Sequence, residues 1–156
     1  MTARPYVGVA GPSGDPDELV LRDAEEVGRL LAEAGAVVVT GGGTGVMEAA
    51  SRGAATAGGT VLGLLPGDDR REANAHVTVA VPTGLGEVRN ALLVRSVDVL
   101  VAVGGSWGTL SEVALACRTG VPVVALRGWD LPAAGGPVVV ADPAAAVAHA
   151  LASLGG

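Results

Sequence analysis

Three glycine-rich turns, each directly after a short apolar run, carry the chemistry this chain could do: Gly11-Pro12-Ser13-Gly14, Gly41-Gly42-Gly43-Thr44-Gly45 and Gly104-Gly105-Ser106-Trp107-Gly108-Thr109. Glycine lets a backbone approach a ligand and turn its N–H groups toward it, and the helix that follows such a turn presents a positive dipole end. One such turn does no more than permit a tight connection between strand and helix. Three at one edge of a sheet describe a cradle for a phosphate or a nucleotide. The candidate binding residues are therefore Gly11, Ser13 and Gly14, then Gly42, Gly43 and Thr44, then Gly104, Gly105, Ser106, Trp107, Gly108 and Thr109, with Asn90 nearby. Main-chain amides must do the work, because all ten basic residues are arginine and lysine is absent. That absence excludes a Walker-A lysine, a Schiff-base lysine for pyridoxal phosphate, and with it a pyridoxal-dependent lysine decarboxylase.

Other constellations are weaker. The dinucleotide fingerprint fails, since Gly41-x-Gly43 is followed by Val46 where a third glycine belongs. Gly104, Ser106 and Gly108 frame a G-x-S-x-G, with Asp130 and His149 following in the order of an α/β-hydrolase triad. This leaves a serine hydrolase as a minor alternative, but the chain is short for that fold and His149 falls inside an alanine-rich helical stretch. Thr109-x-x-Glu112 reads on its own as a capping box, and Arg89 as a surface residue or a partner for Glu87. His76 and Cys117 read as structural, and no Cys/His cluster has metal-ligand spacing.

The elements that must position these groups follow from periodicity. Tyr6–Ala10, Val37–Thr40, Val61–Leu65, Val77–Val81, Val99–Val103, Val121–Leu126 and Val138–Ala141 read as strands with little alternation, as in a parallel sheet covered on both faces. The first helix is expected to start with Asp15 as N-cap, Pro16 in its first turn and Glu18 closing a capping box, and to end at Gly35. A second follows Gly45 and carries a face of Val46, Ala49, Ala50 and Gly53, small enough to lie close to the sheet. A third runs from about Gly86 to Val97, with Val88, Leu92 and Arg95 on one side and Arg89 beside them. A fourth begins at Gly108 and buries Leu110, Val113, Ala114 and Cys117; the last spans Asp142 to Leu154. The sum is an α/β fold: a single domain over residues 1–156 with a doubly wound, mainly parallel, Rossmann-like sheet of about seven strands and helices on both faces.

Composition limits the partners. A net charge of −6 and three aromatic residues argue against nucleic acid, which calls for a basic stripe and stacking rings. One cysteine, no membrane-length apolar segment and no basic leader point to a reducing cytoplasm and no membrane. A mean hydropathy of +0.50 exceeds what buried strands explain and predicts a subunit interface.

Four segments also resemble the LOG-like (Lonely Guy) Rossmannoid family, once labelled as lysine decarboxylases: Leu64-Leu65-Pro66-Gly67-Asp68-Asp69; Pro82-Thr83-Gly84 through Glu87-Val88-Arg89-Asn90; Val94-Arg95-Ser96-Val97-Asp98; and Gly104 through Glu112. Gly41 through Met47 is similar to the family's second glycine turn, and the short bacterial branch related to molybdenum-cofactor carrier proteins is the nearest match. Val103 stands where the family motif has proline, and Ser106-Trp107 extends its glycine run. The resemblance implies a nucleoside 5′-monophosphate phosphoribohydrolase freeing base and ribose 5-phosphate, with Arg89 and Glu112 as the catalytic pair. Glu112 would stabilise a sugar cation and orient water, and Arg89 would pair with it or clamp the 5′-phosphate. The amides of Gly105 to Thr109 would hold that phosphate, Gly41 to Gly45 with the Thr44 hydroxyl would line the ribose, and Ser13 would close the pocket. The alternative it implies is a non-catalytic carrier of molybdenum cofactor or of a nucleotide. Either way the expected ligand is a small phosphorylated molecule, AMP-like or a pterin, with no metal and no required cofactor. The family also implies a homodimer or homotetramer, for which the third helix, with Leu92, Leu93 and Val94, is the expected interface.

Overall fold

Valine-rich runs with no polar face suit strands buried on both sides, and the central ones become that in this computed structural model, which describes residues 3–155, while the two edge strands stay largely exposed. The strands are β1 (Tyr6–Ala10), β2 (Val37–Thr40), β3 (Thr60–Leu65), β4 (Val79–Pro82), β5 (Val99–Val103), β6 (Val123–Leu126) and β7 (Val138–Val139). They form one sheet in the order β4-β3-β2-β1-β5-β6-β7, every neighbouring pair parallel. The helices between them are α1 (Glu18–Glu33), α2 (Val46–Thr56), α3 (Arg89–Ser96), α4 (Trp107–Thr119) and α5 (Pro143–Ala152). From β1 the chain winds outward to β4, then returns to place β5 on the other flank of β1. The loops leaving β1 and β5 therefore diverge, opening a crevice at their carboxyl ends.

Alternate residues of the central strands feed two cores. On one face Val7, Val9, Val38, Val61 and Val101 meet α1, α2 and α5; on the other Val37, Val39, Leu100 and Ala102 meet α3 and α4. Helices α1 and α2 touch backbone to backbone. A Cβ on Gly28 would fall inside the Ala50 carbonyl, and one on Gly53 inside that of Glu25. The small face of α2 thus serves a helix–helix contact as well as the sheet.

Several boundaries differ from expectation for local reasons. The capping box at Asp15 does not form: α1 starts at Glu18, its N-cap is Asp17, and no side chain caps it. The fourth strand starts at Val79 rather than Val77, because Thr78 brackets Val61 from outside the ladder, its N–H donating to Val61 O and its Oγ1 accepting from Val61 N. The sixth starts at Val123 because Val121 N–H closes α4 by donating to Ala116 O. The seventh keeps only two residues. Gly86–Val88 is a 3-10 turn, so α3 begins at Arg89. Its inward residues are Leu93 and Val94, both within the core, whereas Leu92 and Val88 face outward. Leu93 and Val94 are therefore unavailable as an interface. Along α4 the buried positions are Thr109, Val113 and Ala116, while Ala114 is exposed and Leu110 and Cys117 are half-buried. The helix at the end matches its signals, with Asp142 accepting from Ala145 N–H and Pro143 in the first turn.

Candidate functional site

A cavity of about 330 Å³ opens at the carboxyl ends of β1 and β5, floored by Val9 and Ala10. Its walls come from four elements: Gly11 and Ser13 after β1, Gly41 and Met47 around the second turn, Arg89 and Asn90 at the start of α3, and Ser106, Gly108, Thr109 and Glu112 at the start of α4. Gly11 must be glycine here, since a Cβ would lie 2.5 Å from Val46 Cγ1 and closer still to the Val103 carbonyl.

The three turns contribute unequally. In the second, Gly42 N–H donates to Thr40 Oγ1 (3.0 Å), and the carbonyls of Gly42 and Gly43 accept from Asn74 N–H and Asn74 Nδ2 (2.9 Å each). Those three groups are taken up within the protein, and only Gly41 of that turn reaches the cavity. Thr44 does not line it either. Its Oγ1 accepts from Gly14 N–H at 3.0 Å, bracing the first turn against the second, and both residues border a separate hollow toward Arg52. Gly104 and Gly105 sit behind the cavity, Gly105 lying under the Trp129 ring. Trp107 projects from the rim, 79% exposed. The cavity thus unites Gly11, Ser13, Arg89, Asn90, Ser106, Gly108, Thr109 and Glu112, and leaves Gly14, Gly42, Gly43, Thr44, Gly104, Gly105 and Trp107 around it.

The N-terminus of α4 is the positive end of the site. Ser106 is its N-cap: Oγ accepts from Thr109 N–H (3.2 Å) and lies 2.8 Å from Thr109 Oγ1. This corrects the capping box, since Thr109 is the third helical residue and Glu112 has no cap to close. The first-turn amides of Trp107 and Gly108 have no acceptor within the helix, as in any helix start. Burial pushes the Glu112 carboxyl up to about 7, against the weaker opposing pull of the Arg89 charge. Burial also lowers the Arg89 guanidinium from its ordinary value, with Glu112 acting the other way.

Arg89 is committed to structure. Its Nη1 donates to the carbonyls of Gly41 and Leu64, both at 2.8 Å, and its Nε to Asn90 Oδ1 at 3.1 Å. The Asn90 amide donates to Ser111 Oγ (3.1 Å), and Ser111 donates to Gly108 O (2.7 Å), latching α3 to α4. Arg89 and Glu112 share the cavity without a hydrogen bond between them. Sequence reasoning missed Val9, Ala10 and Met47 as lining residues, whereas Gly41 was among those expected to line the ribose. The one signal for Met47 was its place in the first turn of a helix that follows glycines.

The triad of a serine hydrolase is not assembled. Ser106 Oγ is occupied by Thr109, while His149 is exposed on α5, across the sheet from α4. No cluster of three or more His, Cys, Asp or Glu that could hold a metal occurs among the described residues, and no helix there is long and apolar enough to cross a membrane.

Comparison with known proteins agrees with this architecture. The molybdenum cofactor binding protein of Rippkaea orientalis superposes with a TM-score of 0.92 at 35% identity, over 97% of this chain and 98% of that one. The Moco carrier protein of Chlamydomonas reinhardtii superposes with a TM-score of 0.87 at 41% identity, over 98% and 99%. An uncharacterised protein of Archaeoglobus fulgidus is 41% identical over 121 residues, covering 78% of this chain and 79% of its own. Residues 4–148 match the SLOG cluster4 family, and the chain belongs to it.

Proposed function

We propose that this protein holds a phosphate-bearing heterocycle in the crevice between β1 and β5, and that it carries molybdenum cofactor as cargo without cleaving it. The observation that supports this most is the N-terminus of α4 at the cavity, where the Trp107 and Gly108 amides have no acceptor within the helix, beside an Arg89 whose Nε and Nη1 are already bonded within the protein. Ser13, Ser106 and Gly108 of the first and third turns line a cavity of about 330 Å³, a volume within the usual range for small-ligand sites, ~300–1,000 Å³. A terminal phosphate suits amides and hydroxyls. The resemblance to proteins described as carrying or binding this cofactor, at 35% to 41% identity, leads to the same cargo.

The test is purification from a host that makes the cofactor, followed by mass spectrometry of the released ligand and a molybdenum assay. A stoichiometric molybdopterin species with its metal is expected; an empty cavity from such a host would count against carriage. Gly108→Asp supplies the control. A Cβ there meets nothing nearer than Ser106 Oγ at 4.0 Å, and an acidic residue in a first helical turn is favourable, so folding should hold. A carboxylate placed among the amides should weaken anion binding at least tenfold with an unchanged or higher Tm.

One observation favours the phosphoribohydrolase reading: Glu112 sits near 7, where a general acid or base is most effective. Against it, a carboxylate that steadies a sugar cation must be ionised, and the pull of the Arg89 charge on Glu112 is outweighed by burial. Incubation with AMP and GMP should release no base above a blank. Release that disappears in Glu112→Gln would replace carriage with catalysis.

A further inference from the structure

We propose that Trp107, braced by Trp129, is a stacking platform for the flat ring system of the ligand whose phosphate enters the neighbouring cavity; this rests on the binding reading above. Ser106 and Gly108, its two chain neighbours, both line the cavity, so the indole stands within one residue of the mouth. It is the most exposed large apolar side chain in a protein with only three aromatic residues. A core role is ruled out by that exposure of 79%.

The indole is also held in place. Trp129 meets it edge to face, with ring centroids 4.9 Å apart and planes at 76°, an arrangement that orients both rings and leaves a ring face uncovered. Trp129 in turn lies on Gly105, where a Cβ would come within 2.5 Å of its Cδ1. The loop bearing Trp129 is anchored two residues earlier. Arg127 adopts φ +55°, the one positive φ outside glycine among the described residues, and its guanidinium pairs with Asp23 on α1. Left-handed backbone at a bulky residue costs energy and persists where the surroundings impose it.

A rigid, solvent-facing indole beside an anion cradle fits one chemistry: a fused planar heterocycle covalently joined to a phosphate. Purine nucleotides and phosphorylated pterins share it, whereas sugar phosphates lack the ring. Stacking on an aromatic side chain is worth roughly tenfold or more in affinity.

The experiment is calorimetric titration of the full chain with AMP, neopterin monophosphate and ribose 5-phosphate, repeated on Trp107→Ala and Trp107→Phe. In the wild type, the ring-bearing phosphates should bind at least tenfold tighter than ribose 5-phosphate. Trp107→Ala should bring that ratio to about twofold, and Trp107→Phe should restore part of it. In Trp129→Phe, where Trp107 is the single tryptophan, AMP should change the indole emission and ribose 5-phosphate should not. Whichever of AMP and neopterin monophosphate shows the larger ratio identifies the ring class. A tenfold preference that survives in Trp107→Ala overturns the platform and leaves the cavity reading intact, as does a wild type that prefers neither ring. Absence of binding by all three ligands overturns both.

Discussion

Burial at the head of α4 holds Glu112 near neutrality, while Arg89 beside it spends its donors on Gly41 and Leu64. A carboxyl raised from 4.5 to about 7 keeps its proton in the folded state through a window where the unfolded chain has lost it. The sign follows: between pH 4.5 and 7 the native state binds more protons, so stability falls as pH rises through that window, and above it the full penalty applies. Chemical denaturation of wild type and Glu112→Gln at pH 5 and pH 8 should show the variant gaining on the wild type by up to ~3 kcal/mol at the higher pH. Anion affinity should follow the same titration. It should weaken from pH 6 to pH 8 in the wild type more than in Glu112→Gln, since a newly ionised carboxylate faces the ligand. Arg89→Met should cost ~2–4 kcal/mol in urea titration, because two part-buried carbonyls lose a charged donor. At this scale the sequence was partly legible. The family resemblance marked Arg89 and Glu112, which by type and spacing alone read as a surface residue and a cap, and the capping motif at Thr109 was misread because Ser106, three residues earlier than Thr109, had already taken the cap.

The turns and helices were easier to foresee in existence than in use. Glycines after β1, β2 and β5 signalled close approach, and close approach is what Gly11 and Gly105 provide. Which turn reaches the cavity depended on distant partners. Asn74, some thirty residues on in the chain, consumes the carbonyls of Gly42 and Gly43. No local pattern announces such a claim. The contact between α1 and α2 was likewise hidden, because Gly28 sits mid-helix where glycine is normally a cost. Gly28→Ala should destabilise by ~3 kcal/mol or more, since the added methyl meets the backbone of Ala50 rather than a side chain that could move. Ser106→Ala should lose ~1 kcal/mol, the usual worth of an N-cap, measurable as a lower Tm.

For the whole molecule, the parallel sheet was legible because the strand runs were largely apolar with little alternation. The strand order was not, since nothing local distinguishes the return from β4 to β5 from a further outward step. The finished domain leaves Val88 64% exposed and Leu92 37% exposed on the outer side of α3. That side, rather than Leu93 and Val94, is where a second copy would bury apolar surface. Light scattering at micromolar concentration should give a multiple of 15.2 kDa, and Val88→Glu should lower it. A final consequence comes from having no lysine anywhere in the chain. Reagents that acylate primary amines can modify little beyond the chain terminus, so a hold made of peptide N–H groups should survive treatment that disarms ordinary anion-binding proteins. Cargo capture after exhaustive acetylation would set this protein apart from any that grips through ammonium groups.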